Sequence, residues 1–318
     1  MINKKKVLIV GLGKIGLHYD LKKSQREVKL SHASSFATHN HFDLQGAVDK
    51  NILNLKLFKK KYRKEVFSSL KSALLFLQPE IIIVSTPSKT HLTVIKNIFK
   101  YSKPDLIFCE KPFSNNYNNA LKIYKLSIKN NCKLLINYSR RYDIYLSKIK
   151  KFLKIGSKKK LLCNVYYSNG FLNNGSHFLN LSEFLFGKLI KVKIFKKRKI
   201  MADYNINFYA NFENADVNFI STQDLFTSNY FEIFSDKYFV HVNQNEVYYK
   251  QVARDKVFNK LKTLSNLKKN LAIINPNVVN FKVVNQINNF IKGKKYFVCT
   301  AEEALLTMKN LQFVISND

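Results

Sequence analysis

A short apolar run followed at once by three spaced glycines constrains the fold of this chain most strongly. Val7-Leu8-Ile9-Val10 is typical of a buried strand, and it leads directly into Gly11-Leu12-Gly13-Lys14-Ile15-Gly16. In such a G-x-G-x-x-G pattern the first glycine makes a tight turn, the second lets the backbone approach a pyrophosphate, and the third lets a helix pack on the strand. The N–H groups at the helix start would bind the phosphates. The pattern therefore predicts a dinucleotide site formed by Gly11, Gly13, Lys14, Ile15 and Gly16.

Apolar runs alternate with helical patterns through the rest of the first half. Strands are predicted at 44–48, 80–84, 105–109 and 133–136, and helices at 53–62, 68–77, from His91 onward and at 117–129. This alternation predicts a parallel sheet with helices on both faces, an α/β Rossmann architecture. Polar residues at 18–31 interrupt the first helix, either as an insertion beside the cofactor or as a plain surface loop.

The second predicted strand ends at Asp49. An acid at this position accepts hydrogen bonds from the adenosine ribose hydroxyls and repels a 2′-phosphate, which favours NAD over NADP. Lys50 follows directly and weakens this preference. NAD is therefore the predicted cofactor, and NADP remains open as the alternative.

The strand at 80–84 leads into the polar segment Ser85-Thr86-Pro87-Ser88-Lys89-Thr90-His91. Pro87 stops the strand, and the small polar side chains leave space for a cofactor across the strand end. Thr86 and Pro87 are therefore predicted to contact the cofactor. Thr90 is the candidate N-cap of the next helix, and His91 is either a site residue or a structural histidine.

The run at 105–109 ends abruptly in Glu110-Lys111-Pro112. Ligands of open α/β sheets bind just beyond the carboxyl ends of the strands, so this charged pair is expected to face the site. Pro112 fixes its own φ and disfavours a helical conformation at Lys111, which directs the ammonium group. The alternative is a solvated lysine at a strand end.

The chain has 54 basic and 21 acidic residues, a formal net charge of +33. Such a charge is typical of proteins that bind nucleic acid or anionic membranes. The excess is almost wholly lysine, however, and nucleic-acid recognition relies on arginine. The abundance of Asn, Ile, Phe and Tyr indicates an A+T-rich genome instead. We therefore predict no nucleic-acid or membrane partner, while the charge is expected to attract an anionic substrate.

Four cysteines lie far apart without C-x-x-C spacing, which predicts reduced thiols, no metal site and a cytoplasmic protein. Lys4-Lys5-Lys6 before the first strand imitates a signal peptide, but Lys14 ends the apolar stretch and no cleavage site follows. No run reaches the roughly 18 apolar residues of a membrane helix.

The second half has a different pattern, with tight turns between alternating aromatic runs. Strands are predicted at 161–167, 190–200, 206–212, 217–220, 230–234 and 238–242, and their short connections predict antiparallel hairpins. Between the first two lies an amphipathic helix at 175–187, with His177 in its first turn, where the helix dipole disfavours imidazolium. Residues 256–285 contain no recognised motif.

These motifs together resemble the Gfo/Idh/MocA oxidoreductases, named for glucose–fructose oxidoreductase, inositol dehydrogenase and a rhizopine-catabolism protein. The resemblance is carried by the glycine loop, Asp49, Thr86-Pro87 with His91, Glu110-Lys111-Pro112, Tyr138-x-Arg140-Arg141-Tyr142, Asn173 to His177 and a closing helix at 301–318. It implies a Rossmann domain at 1–137 and 301–318. It also implies an α+β domain at 138–300 with an open, mainly antiparallel sheet that binds substrate and forms homodimers or homotetramers.

The resemblance implies hydride transfer between nicotinamide and a secondary hydroxyl or carbonyl carbon of a sugar, sugar nucleotide or cyclitol. Lys111 and His177 are the implied catalytic residues, and Glu110 and His91 join the implied cofactor site. The implied substrate contacts are Lys111, Tyr138, Arg140, Arg141, Asn173 and His177. Structural salt bridges for the two arginines and core packing for the tyrosine stay open as alternatives.

The chain departs from the family pattern D-x-G-x-H-x-x-D at two positions, where it has Asn173 and Asn180. Asparagine forms hydrogen bonds but cannot act as a base, which leaves proton transfer to His177 and Lys111. Two further functions stay open. One is a redox-neutral elimination that uses bound NAD transiently, and the other is a non-catalytic sensor of dinucleotide or sugar.

Overall fold

The computed structural model describes residues 4–24, 27–142, 145–146, 149–150, 160–223, 225, 229–243, 246–255, 261–265, 268–273 and 275–317. The chain divides into two compact units. The first comprises Met1–Tyr142 and Asn277–Met308, and the second comprises Asp143–Pro276 and Lys309–Asp318. Both boundaries differ from the predicted ranges, which ended the first domain at 137 and resumed it at 301.

The first unit is a doubly wound sheet. Its strands are β1 (Lys5–Val10), β2 (Phe42–Val48), β3 (Glu65–Phe67), β4 (Ile81–Val84), β5 (Leu106–Cys109), β6 (Lys133–Ile136) and β16 (Cys299–Thr300). Its helices are α1 (His32–Ala37), α2 (Ile52–Tyr62), α3 (Leu70–Leu77), α4 (His91–Tyr101), α5 (Tyr117–Lys129) and α7 (Val279–Ile291). The predicted α/β Rossmann class is confirmed.

The strand order of this sheet is β16-β6-β5-β4-β1-β2-β3. All neighbouring pairs are parallel except β16 with β6. Every residue of β4 and β5 is buried, because helices cover both faces of a parallel sheet. This burial explains why these strands appear in the sequence as continuous apolar runs.

Residues 277–300 belong to the first unit because they supply a core helix and an edge strand. In α7, Val283, Val284 and Ile287 are buried in the same apolar cluster as Val7 and Phe36 of the Rossmann core. Strand β16 then pairs with β6 at the sheet edge. The apolar positions of α7 recur with helical spacing, which is the one sequence pattern that indicates this helix.

The polar insertion at 18–31 interrupts a helix that begins after the glycine loop and continues as α1. The His32 N–H donates to Ile15 O at 2.9 Å, and the Ala33 N–H donates to Gly16 O at 3.1 Å. In an uninterrupted helix, these two carbonyls would accept hydrogen bonds from the N–H groups four positions later, at residues 19 and 20. Here the N–H groups of His32 and Ala33 take their places. Helix α1 therefore continues the turn that follows the glycine loop, and the insertion is looped out between the two pieces.

The Asp20 carboxylate closes this insertion. It is 1% exposed, and it accepts hydrogen bonds from Leu30 N (2.6 Å), Ser31 N (2.9 Å), Ser31 Oγ (2.6 Å) and Ser34 Oγ (2.5 Å). A buried carboxylate is tolerated when donors surround it in this way. Asp20 therefore ties the two ends of the insertion to the start of α1.

Asp20→Ala is expected to lower the free energy of unfolding by about 3 kcal/mol, because it leaves several buried donors without an acceptor. Urea unfolding followed by circular dichroism measures the change. Asp105→Ala is the matched control, since this carboxyl is 65% exposed and its ion pair with Lys5 is expected to be worth at most about 1 kcal/mol. Equal losses in the two variants would contradict the anchoring role of Asp20.

The described residues of the second unit include a large, mainly antiparallel sheet and the helix α6 (Ser176–Phe186). Its strands are β7 (Leu161–Tyr167), β8 (Leu189–Ile200), β9 (Asp203–Phe212), β10 (Ala215–Ser221), β11 (Tyr230–Phe234), β12 (Tyr238–Val242), β13 (Glu246–Arg254), β14 (Lys262–Leu264) and β15 (Lys269–Ile273). The order is β14-β13-β12-β11-β7-β10-β9-β8, with β15 paired to β13. Only β7 with β10 is parallel among the described pairs. The predicted α+β class is confirmed.

Side chains alternate between a buried face and a more exposed face of this sheet. In β9, Phe208 and Phe212 are fully buried while Tyr209 and Asn211 are half-buried on the opposite face. The inner face packs against α6, where the rings of Phe186 and Phe212 lie 6.4 Å apart. On the edge strand β8 the lysines at 191 and 193 are exposed, so the predicted solvated face is confirmed.

The last helix, α8 (Ala301–Ser316), is divided between the units. Its first turn contains Glu303, which pairs with Arg141 of the first unit. Its second half contains Asn310, which donates to Glu183 of α6 at 2.8 Å. The predicted assignment of the whole 301–318 segment to the Rossmann domain therefore differs from the observed division. In the described part of the chain, no helix has the length and hydrophobicity needed to cross a membrane.

Candidate cofactor and active site

Two features fix the glycine loop against the end of β4. Gly11 has φ +100°, and a Cβ there would lie 2.8 Å from the Ser85 carbonyl atoms. Only glycine adopts this conformation without strain and allows this approach. The Ser85 hydroxyl also donates to Gly11 O at 2.7 Å. On this side the loop is therefore held by close backbone packing and by the Ser85 side chain.

The other two glycines of the motif differ in their surroundings. A Cβ on Gly16 would lie 2.3 Å from Gly11 O, whereas a Cβ on Gly13 would have no atom within 4 Å. Gly16 is thus required by packing inside the protein. Gly13 borders open space, where a side chain would fill the volume that a pyrophosphate needs. The residues present therefore fit a dinucleotide at this loop.

Asp49 lies at the end of β2 and faces the same loop. Its carboxylate accepts from Leu12 N at 2.6 Å, Asn51 N at 2.7 Å and Asn54 Nδ2 at 3.4 Å. An ionised carboxylate has about four acceptor positions, so capacity remains for the ribose hydroxyls of a bound dinucleotide. The exposed Lys50 follows it. Binding of the ribose by Asp49 stays a prediction.

The segment after β4 differs from the expectation at one residue. Thr90 occupies the N-cap position of α4, but its side chain makes no capping hydrogen bond. Its hydroxyl lies instead 2.7 Å from Pro87 O and 2.9 Å from Thr86 Oγ1. The predicted side-chain cap is therefore wrong, because the preceding turn at 88–90 brings nearer acceptors to this hydroxyl.

Glu110 lies in a buried polar network that the sequence did not reveal. Its Oε1 lies 2.7 Å from His32 Nε2 and accepts from Asn137 Nδ2 at 2.7 Å. The His32 ring is fully buried, and the Glu110 side chain is 13% exposed. The network joins the start of α1 and the ends of β5 and β6. His32 and Asn137 were missed because they lie 78 and 27 residues from Glu110 in the chain.

Burial by itself raises the pKa of the Glu110 carboxyl. The hydrogen bond and electrostatic attraction of His32, the Asn137 amide and the Lys111 ammonium outweigh it, so the pKa lies below its ordinary value. Glu110 is therefore ionised at neutral pH. Its charge stabilises the fold above the unfolded-state pKa of about 4.3, and that stabilisation is lost as the pH falls through the folded-state pKa.

Lys111 lies directly after β5, half-buried, and its peptide bond with Pro112 is cis. The ionised Glu110 precedes it in the chain, and the positive charge of Lys111 contributes to the lowered pKa of that carboxyl. The structure therefore has a cation at the carboxyl edge of the first sheet, where the sequence predicted one. Contact of Lys111 with a reacting substrate stays a prediction.

The residues at 138–142 lie in interior environments of the first unit. Tyr138 is fully buried, and the Tyr142 hydroxyl donates to Ile136 O at 2.6 Å. Arg141 is 2% exposed and pairs with Glu303 at 2.7 Å, whereas Arg140 is half-buried. The salt bridge left open for Arg141 is thus observed. Substrate contacts by Tyr138, Arg140 and Arg141 stay predictions.

In the second unit, the predicted helix at 175–187 begins as a π-helical turn. Gly170–Gly175 forms this turn and runs directly into α6, which places His177 in the first α-helical turn. His177 is 8% exposed, and Asn173 is exposed on the π turn. Single π turns occur often at functional sites. Asn180 is fully buried, one turn after His177.

Asp203 at the start of β9 shapes this π turn. Its carboxylate accepts from Leu172 N at 2.7 Å and Asn173 N at 3.1 Å. Gly170 has φ +83°, and a Cβ there would lie 2.1 Å from Asp203 Oδ2. The turn that presents Asn173 is therefore built around a carboxylate 30 residues away, which the sequence did not indicate.

Comparison with known protein families decides the class of the first unit. Residues 5–138 match the model of an oxidoreductase family described by its NAD-binding Rossmann fold, Gfo/Idh/MocA. The match lies wholly within the first unit and identifies that unit as an NAD-binding Rossmann domain of this type. The resemblance inferred from the motifs is confirmed, and so is the prediction of a nicotinamide dinucleotide as the cofactor.

The chain matches only part of its curated relatives. It is 30% identical over 91 residues to an uncharacterized oxidoreductase of Schizosaccharomyces pombe, a match that covers 29% of this chain and 24% of the relative. The alignment thus spans about a quarter of that relative's length.

Solved structures share the fold over nearly the whole chain. A putative NADPH-dependent oxidoreductase from Desulfitobacterium hafniense has a TM-score of 0.78 at 16% identity, covering 98% of this chain and 94% of its own. The WlbA dehydrogenase from Bordetella pertussis, solved with NADH and UDP-GlcNAcA, has a TM-score of 0.75 at 16% identity, covering 98% and 95%. At this identity the likeness establishes the fold. Among the described residues, no group of three or more His, Cys, Asp or Glu side chains is placed to hold a metal ion.

Proposed function

We propose that this protein transfers a hydride between NAD and the carbon of a secondary hydroxyl or carbonyl group of a sugar-like substrate. The observation that carries the proposal is the position of Lys111 beside ionised Glu110, at the carboxyl edge of an NAD-binding sheet. Ligands of such sheets bind along this edge. The bound cofactor would supply the hydride chemistry, and the protein would bind and orient the two reactants.

Lys111 would donate a hydrogen bond to the reacting oxygen of the substrate. Its positive charge would stabilise the negative charge that develops there during hydride transfer. Glu110 supports this role because the charge of Lys111 helps to lower the pKa of the Glu110 carboxyl, which indicates that the two groups interact at the strand end. The buried network of Glu110 with His32 and Asn137 supports it further by holding the strand end rigid.

His177 would carry the proton of the substrate hydroxyl. Its place directly after the π turn that carries the exposed Asn173 supports this role, because such turns occur often at functional sites. Asn173 would contribute a hydrogen bond to substrate, since an amide cannot exchange a proton near neutral pH. Tyr138, Arg140 and Arg141 complete the proposed substrate contacts.

Nucleotide sugars are the substrate class that the comparisons support best. WlbA, which shares the fold, was solved with UDP-GlcNAcA. The formal net charge of +33 would raise the local concentration of such anionic substrates. Free sugars and cyclitols belong to the same proposal. The protein is further proposed to be cytoplasmic, which the wide spacing of its four cysteines supports, and to form homodimers or homotetramers.

The test is a panel of nucleotide sugars, free sugars and cyclitols, incubated with purified protein and NAD while NADH is monitored at 340 nm. Net NADH formation under steady turnover supports the dehydrogenase. Substrate consumption without net NADH indicates redox-neutral elimination instead. Tight binding of NAD without any turnover across the panel indicates a sensor and overturns the proposed activity.

Asp49→Ala is expected to weaken NAD binding about tenfold to a hundredfold, because charge-assisted hydrogen bonds to the ribose hydroxyls are lost. NADP binding should fall much less, since the repulsion of its 2′-phosphate disappears at the same time. Isothermal titration calorimetry with both cofactors measures the two changes.

Asp43→Ala provides the control for Asp49→Ala, because Asp43 lies on the same strand and pairs with Lys64 at the surface. Asp49→Asn distinguishes the hydrogen bond to the glycine loop from the effect of the negative charge. The amide oxygen can still accept from Leu12 N, while the charge is removed. An equal loss of NAD and NADP affinity in Asp49→Ala would show that the residue only shapes the loop.

A further inference from the structure

We propose that His91 is a positioning residue for the nicotinamide half of the cofactor, which it affects by joining the segments that follow β4 and β5. The inference rests on NAD binding by the first unit and not on the proposed sugar chemistry. His91 is fully buried. Its effect would therefore pass through protein groups that it contacts, in place of the direct contact predicted from the sequence.

The His91 ring lies between two backbone carbonyls. Nε2 is 2.8 Å from Thr86 O, at the end of β4, and Nδ1 is 3.1 Å from Phe113 O, just beyond Glu110-Lys111-Pro112. The thiol of Cys109, the last residue of β5, lies 3.3 Å from Nδ1. One imidazole thus contacts both segments that follow the central strands of the sheet.

The protonation state of the ring follows from burial. Burial lowers the pKa of His91 and outweighs the hydrogen bonds to the two carbonyls and the attraction of Glu110, so the imidazole is neutral near pH 7. Burial likewise raises the pKa of the Cys109 thiol well above its ordinary value, so the thiol keeps its proton. A neutral imidazole has one N–H donor and one acceptor nitrogen.

These constraints favour one tautomer. Nε2–H donates to Thr86 O, the shorter of the two contacts, and Nδ1 accepts the S–H of Cys109. Either neutral tautomer leaves the lone pair of one ring nitrogen facing a carbonyl oxygen. The favoured tautomer places that lone pair at the longer contact, 3.1 Å from Phe113 O, where the Cys109 S–H can donate to it, whereas the opposite tautomer would place it 2.8 Å from Thr86 O. In the favoured state His91 joins Thr86 to Cys109, the residue that begins the turn toward Lys111.

The strand order indicates which part of the cofactor this junction affects. The glycine loop follows β1, and Asp49 follows β2 on one side of it. A dinucleotide with its adenosine ribose at Asp49 and its pyrophosphate at the glycine loop must continue toward the other side, over the ends of β4 and β5. The segments that His91 joins are therefore those next to the nicotinamide half.

Loss of the His91 hydrogen bonds should weaken binding of the nicotinamide half of the cofactor and leave binding of the ADP-ribose half unchanged. In His91→Leu, which is of similar bulk but cannot form hydrogen bonds, Thr86 and Cys109 are no longer held together. The Kd for NADH is expected to rise about threefold to tenfold, the equivalent of one hydrogen bond. The Kd for ADP-ribose, which lacks the nicotinamide, is expected to stay unchanged. A merely structural histidine would weaken both ligands together.

Two further variants test the assigned tautomer. In His91→Gln the amide nitrogen lies near the position of Nε2 and can donate to Thr86 O, so most of the NADH affinity should return. In His91→Asn the amide reaches only the position of Nδ1, so the affinity should stay low. Calorimetric titration of all variants with NADH and ADP-ribose, together with their thermal unfolding, completes the set.

Cys109→Ala keeps the test decisive if His91→Leu does not fold. It removes the S–H donor and should raise the Kd for NADH by about twofold or threefold, with ADP-ribose binding unchanged. Equal losses for both ligands, or no loss for NADH, would overturn the proposal. ADP-ribose and NADH both failing to bind the unmodified protein would overturn the cofactor assignment, which is a separate result.

Discussion

Lys111→Ala is expected to lower kcat about a thousandfold, with the Kd for NAD nearly unchanged. The ammonium would stabilise charge on the reacting oxygen of the substrate, and the dinucleotide does not carry that oxygen. The loss should therefore appear in the chemical step and not in cofactor binding. Steady-state kinetics with a substrate from the sugar panel, and calorimetry with NAD alone, measure the two quantities separately.

Two control variants sharpen this test. Lys103→Ala removes an exposed lysine that precedes the same strand, and it should leave kcat unchanged. Lys111→Arg keeps the positive charge but changes its geometry, so it should recover part of the lost rate. A Lys111→Ala enzyme with nearly full kcat would show that Lys111 does not act on the reacting oxygen, and the proposed mechanism would fail.

Gly13→Val is expected to raise the Kd for NAD about a hundredfold, because its side chain would separate one or two backbone N–H groups from the phosphates. Gly13 does not have a positive φ, and a Cβ there would meet no protein atom within 4 Å. The free energy of unfolding should therefore change little. This variant is thus expected to lose affinity for NAD while it keeps its free energy of unfolding.

Gly16→Ala is the matched opposite case in the same loop. Its methyl group would lie 2.3 Å from Gly11 O, so the variant is expected to lose about 2–3 kcal/mol of unfolding free energy. Urea unfolding and calorimetric titration with NAD on both variants test the pair. Unchanged NAD binding in Gly13→Val would show that the phosphates do not approach this side of the loop.

The polar networks around the predicted residues could not be derived from the sequence. His32 lies 78 residues from Glu110, and Glu303 lies 162 residues from its partner Arg141. Hydrogen bonds of this kind have no periodicity, and one sequence alone does not pair distant positions. For the same reason the sequence left a structural salt bridge open for Arg141 but could not identify its partner.

The unit boundaries and one helix start depended on three-dimensional contacts as well. Residues 277–300 join the first unit because α7 fills its core and β16 extends its sheet. The side chain of Thr90 turns to Pro87 O and does not cap α4, because the preceding turn brings that carbonyl close. Local propensity predicted the helix, but competing acceptors decided the hydrogen bond.

The sequence by itself determined the fold class, most of the strands and helices up to residue 242, the nicotinamide cofactor and the location of Lys111 at a strand end. These depend on short-range patterns, because buried strands need apolar runs and phosphate loops need spaced glycines. Only the tertiary structure decided how those residues are held: Glu110 by His32, the insertion by Asp20 and the Asn173 turn by Asp203. A buried polar group needs a partner within hydrogen-bond distance, and it is the fold that brings that partner close.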